Sequence, residues 1–101
     1  MILEVADIRI QPGQQAAFDE AIKRGVETVI SMATGFGGYA VYKSIESPER
    51  YLLQIEWNTL DNHTVDFRGS AAYADWRAIV SPFFASPPVV EHFTQLAGSA
   101  Q

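Results

Sequence analysis

The chain has 101 residues, a formal charge of −5 and no cysteine. That length holds one domain with one core. The charge argues against nucleic acid and anionic membrane surfaces as partners, and the missing thiols exclude disulfides, thiolate catalysis and cysteine-based metal sites.

The first residues already read as a strand and carry Glu4 and Asp7, with no basic stretch ahead of an apolar run. A leader peptide is therefore not expected, and a cytoplasmic location is the default. Ile2–Ile10 presents two faces, Ile2, Ala6, Ile8, Ile10 and Leu3, Val5, Asp7, Arg9. Both begin apolar, as in a central strand covered on two sides. Gln11-Pro12-Gly13 is a turn, and Pro12 suits the first turn of a following helix. Phe18, Ile22, Val26, Val29, Ile30 and Ala33 recur at helical spacing and form one apolar stripe, with Glu20 and Arg24 paired on the wet side. The glycines of Thr34-Gly35-Phe36-Gly37-Gly38 end the helix.

Tyr39–Ile45 and Tyr51–Trp57 read as a hairpin around the polar turn Ser47–Arg50. The second strand alternates, with Tyr51, Leu53, Ile55 and Trp57 on one face and Leu52, Gln54 and Glu56 on the other. Asn58 or Thr59 caps a short helix that runs to Arg68, where Gly69 stops it. Ser70 caps the next, Ala71–Ser81, which ends at Pro82. A final strand spans Val89–Leu96. The longest uncharged runs are broken by Gly or Pro and fall short of the roughly 18–20 residues needed to cross a bilayer.

The order strand, helix, strand, strand, broken helix, strand predicts an α+β, ferredoxin-like βαββαβ fold. Its four-stranded antiparallel sheet is covered by helices on one face. A single domain over residues 1–97 is expected, with 98–101 as a short flexible tail. Tyr51, Leu53, Ile55 and Trp57 cannot all lie under the helices if Tyr39 and Val41 also need cover. A second copy laid across the open face answers this, so a homodimer is expected.

Two histidines are present. His63 shares a helix face with Phe67, and the turn after Trp57 can fold it back above that ring. A histidine beside an aromatic wall suits a general base; the alternative is a helix-start histidine facing solvent. His92 follows Glu91 on a strand, so the two point to opposite faces, and a surface or dimer-contact role is expected. No metal-ligand motif joins the histidines. Asp7 interrupts an apolar face and needs a partner, either a salt bridge or a substrate group. Arg68 and Arg77 follow aromatic residues; each suits an anionic substrate group or a surface ion pair. Trp76, Tyr73, Phe83 and Phe84 read as core or as pocket wall. No dinucleotide, P-loop or nucleophile-elbow motif is present. No cofactor is therefore expected.

Together, Gln11-Pro12-Gly13 before a long helix, Glu56-Trp57, His63, Phe67-Arg68-Gly69-Ser70, Tyr73, Trp76-Arg77 and Pro88 to Phe93 resemble the antibiotic biosynthesis monooxygenase (ABM) family over nearly the whole chain. The resemblance implies a dimeric α/β barrel of ferredoxin-like protomers. It further implies either a cofactor-independent oxygenase for small aromatic or phenolic substrates, a haem-binding or haem-degrading protein, or a small-molecule-binding dimer without chemistry. On the first reading His63 is catalytic, and Trp57, Asp7, Phe67, Arg77 and Trp76 bind substrate.

Overall fold

A computed structural model describes residues 1–99. Strand β1 (Ile2–Arg9) leads to helix α1 (Gln15–Thr28), β2 (Phe36–Lys43), β3 (Arg50–Trp57), a π-helical turn (Asn62–Phe67), α2 (Ala71–Val80) and β4 (Val89–Phe93). The sheet order is β2-β3-β1-β4 with every pair antiparallel. This is the ferredoxin-like α+β arrangement that the alternation of periods predicts.

Both helices lie on one face of the sheet. The α1 stripe of Phe18, Ile22 and Val26, continued by Ile30, is buried against Ile8, Ile10, Leu53 and Ile55. Burying each such side chain contributes about 1.5–3 kcal/mol. Helix α2 approaches α1 at Gly25, where an added Cβ would lie 2.7 Å from the Trp76 ring.

Several local expectations change. Pro12 and Gly13 (φ +81°) form a turn outside the helix, which begins only at Gln15. The helix ends at Thr28, and a 3₁₀ turn carries Ile30–Met32. Of the glycines read as a helix stop, Gly35 (φ +84°) makes the turn, while Gly37 and Gly38 belong to β2 at an irregularity in its pairing. On the wet side of α1, Glu20 pairs with Lys23 at 3.1 Å instead of Arg24. Thr59 does cap: its Oγ1 accepts from the Asn62 N–H (3.2 Å) while Asn62 Oδ1 accepts from the Thr59 N–H (3.1 Å). Ser70 precedes α2 with extended backbone, but its hydroxyl donates back to the Phe67 carbonyl. Strand β4 stops at Phe93. Residues 100 and 101 of the expected tail lie outside the described residues.

The crowding argument for a dimer also needs correcting. Tyr51, Leu53, Ile55 and Trp57 are all buried under the helices. Val41 packs at the core's edge, and Tyr39 stays exposed, its hydroxyl donating to Glu27. The uncovered face is the other one, which carries Leu3, Val5, Tyr42, Leu52, Val89 and Phe93.

Candidate active site

Strand alternation places Glu4 on the inner face with Ala6 and Ile8, and β1–β4 pairing sets it opposite His92. Glu4 is 6% exposed, and its Oε1 takes two contacts: the Trp57 Nε1–H at 2.9 Å and His63 Nε2 at 3.3 Å. His63 Nδ1 in turn lies 2.7 Å from His92 Nε2. With both rings neutral, a hydrogen bond donated by His92 Nε2 to His63 Nδ1 leaves the His63 proton on Nε2, which faces Glu4 Oε1.

The π-helical turn delivers His63 to this point. Its wide bond, from the Arg68 N–H to the His63 carbonyl, keeps His63 and Phe67 both facing inward. Such turns recur at functional sites. The His63 ring stacks on Trp57, with centroids 5.3 Å apart and planes 12° from parallel. Burial, aided by the Arg68 and His92 charges, pulls the His63 pKa down to about 4. His92 is lowered by the same burial and by Arg68. Burial raises the Glu4 carboxyl, against the lowering effects of the Trp57 hydrogen bond and the Arg68 charge. Burial thus disfavours charge on both groups, and Glu4 acts as a base only above its raised pKa.

Glu4 and His63 open onto a cavity of about 280 Å³. Its wall includes Phe67, Arg68, Tyr73, Trp76, Arg77 and Phe84. An engineered cavity of about 150 Å³ binds benzene, so this one has room for about one or two fused rings. Glu4 Oε2 has no protein partner among the described residues, yet it is not sealed from solvent. It is therefore the carboxylate oxygen open to the cavity.

Of the residues expected to form a site, His63, Phe67, Trp76 and Arg77 line this cavity. Trp57 does not. It is fully buried one layer behind, where it holds Glu4 through its N–H. Asp7 does not either: an odd position on β1 puts it on the opposite sheet face, where Arg50 grips it through two hydrogen bonds of 3.1 and 2.8 Å. That pairing lowers its pKa. His92 faces inward instead of outward. Glu4 escaped the sequence reading, although the period of two that groups Ala6, Ile8 and Ile10 includes it.

The comparisons with known proteins agree with this architecture. The family model for antibiotic biosynthesis monooxygenases matches residues 1–79. The uncharacterised protein YczJ of Bacillus subtilis (strain 168) is 37% identical over 92% of this chain and 97% of its own. A crystal structure of a Bordetella bronchiseptica protein assigned to the same monooxygenases superposes with a TM-score of 0.90 at 42% identity, covering 95% of this chain and 97% of that one. The Streptomyces coelicolor monooxygenase from ActVA-Orf6, solved with nanaomycin D, shares the fold at a TM-score of 0.82 and 19% identity, covering 99% and 91% of the two chains. A protein with this sheet order, this helical cover and this family match belongs to the antibiotic biosynthesis monooxygenase family.

Among the described residues, no group of three or more His, Asp and Glu is arranged to hold a metal ion. The two nitrogens of His63 point at different partners, so Glu4, His63 and His92 do not converge on one point. Both His63 nitrogens face protein partners, Glu4 and His92, so His63 is not presented as an axial ligand for haem. No helix among the described residues is long and apolar enough to cross a membrane.

Proposed function

We propose that this protein is a cofactor-independent monooxygenase that oxidises a small phenol with O2, and that Glu4, set by His63, takes the phenolic proton. The observation that carries this reading is the buried Glu4–His63 couple, 3.3 Å apart, at the wall of a small aromatic cavity. Proton transfer to Glu4 instead of His63 is supported by the open Oε2, by the occupied His63 nitrogens, and by burial that strengthens the carboxylate as a base while weakening the imidazole.

The phenolate formed is electron-rich enough to reduce O2 directly. One oxygen atom bonds to the ring carbon para to the phenolate, that carbon loses its hydrogen, and the other oxygen leaves as water. Phenol plus O2 thus gives quinone plus water, with the substrate supplying every electron. Phe67, Tyr73 and Trp76 exclude water from the peroxide stage. The protein works as a homodimer, a reading supported by family membership and by the uncovered apolar sheet face. A cytoplasmic location accords with the absence of cysteine.

The test is oxygen uptake with mono- and bicyclic phenols, with product followed as quinone absorbance. Stoichiometric O2 consumption and quinone formation without added cofactor are expected. A protein that shows a ligand-dependent rise in Tm but no uptake is a binding module instead.

A further inference from the structure

The chain has seven basic side chains. Arg9, Lys23, Lys43 and Arg50 each lie within 4.0 Å of a carboxylate. Among the described residues, Arg24, Arg68 and Arg77 have no such partner, in a protein with twelve acids to choose from. Two of those three stand in the wall of the one cavity that holds Glu4 and His63. Both are solvent-exposed residues, so each guanidinium stands hydrated, unpaired and free to meet an anionic ligand at the cavity.

Their placement differs. Arg68 follows the π-helical turn and is the cation whose charge reaches Glu4, His63 and His92. Arg77 lies on the last turn of α2 and lines both the cavity and the open cleft of Ser81, Ala85 and Ser86 beside it. It therefore stands at the mouth. An aromatic ring lying between Phe67, Tyr73, Trp76 and Phe84 has the acid–base couple at one end and Arg77 at the other.

Resting on the monooxygenase reading for its reactive end, we infer that the ligand is an aromatic acid: a small phenol whose ring carries a carboxylate that Arg77 holds at the mouth, while Arg68 offsets the charge of the phenolate formed at Glu4. A planar carboxylate matches the forked donors of arginine, and such charge-assisted pairs are the strong hydrogen bonds of protein sites.

The experiment is anaerobic calorimetric titration with 2,5-dihydroxybenzoate and with hydroquinone, the same ring without the carboxylate. The native protein should bind the acid roughly ten-fold or more tightly. Arg77→Gln should abolish that preference, bringing the affinity for 2,5-dihydroxybenzoate to that for hydroquinone. Arg68→Gln should keep the preference, and Arg24→Gln, a cation away from the cavity, should change neither. Equal affinity for the two probes, a preference that survives Arg77→Gln, or no binding of either at millimolar concentration overturns the inference. Because binding is read without O2, a carboxylate preference in a protein that never consumes O2 sinks the monooxygenase reading and leaves the ligand class standing.

Discussion

His63 Nδ1 lies 2.7 Å from His92 Nε2, across 29 residues of sequence. The contact occupies the nitrogen that a lone catalytic histidine would present to substrate. It also places a second ring where protonation of either would be opposed by the other and by Arg68. Two-dimensional NMR of the imidazole nitrogens should show His63 neutral, with its proton on Nε2, down to about pH 4. His92→Ala should raise the His63 midpoint, because one opposing charge is gone; burial should still hold it below 6.5. An ordinary midpoint near 6.5 in the native protein would place His63 in water.

The same shifts set the acid side of stability. The unfolded chain takes up protons on its histidines near pH 6.5, whereas folded His63 resists until about pH 4. The stability gained by keeping it neutral is present above pH 6.5 and lost as the pH falls towards 4. The whole shift is worth up to about 3 kcal/mol. Glu4 works in the opposite sense. Its folded pKa is raised, so its contribution is full below 4.5 and declines as the pH rises through the folded value. Urea melts of His63→Asn should therefore show a flatter decline between pH 6.5 and 4 than the native protein. Parallel declines would remove His63 from the acid response.

Gly25 lets Trp76 approach α1, and Trp76 also forms cavity wall. Gly25→Ala improves helix propensity by about 0.5–1 kcal/mol. It also sets a methyl 2.7 Å from a rigid ring, and overpacking of that kind costs about 1–3 kcal/mol. Net destabilisation in thermal melts is expected, with weaker binding of aromatic ligands as Trp76 shifts. A more stable variant with intact binding would show that α1 and α2 are packed less tightly there.

Much of the fold was legible because its signals are local. The period of two in Tyr51–Trp57 and the stripe from Phe18 to Ile30 each specify an element and its buried face. The site was only partly legible. Phe67, Trp76 and Arg77 could be picked out as aromatic and cationic neighbours on helices. The Glu4–His63–His92 chain is made by the pairing of the first and last strands and by one π-helical turn, and no short spacing announces either. Asp7 drew attention because it interrupts an apolar face, but that face turned out to be the one away from the cavity, where Arg50 satisfies it.

That outer face gives the prediction for assembly. Leu52 and Val5 lie on it near Tyr42 and Phe93, both of which are exposed. Leu52→Lys should convert a dimer to a monomer in light scattering by putting charge at the centre of the contact. A dimer that persists through this change uses another surface.

The central claim is that Glu4 is the base. The most direct measurement is the pH dependence of kcat/KM for phenol oxidation in the native protein and in Glu4→Gln, which keeps the shape and the acceptor for Trp57. The native profile should rise on the acid side as the raised Glu4 carboxyl ionises. Glu4→Gln should lose that limb together with about 10²–10⁴ in rate. Native turnover and an unchanged limb in Glu4→Gln would contradict the account and return the proton to His63.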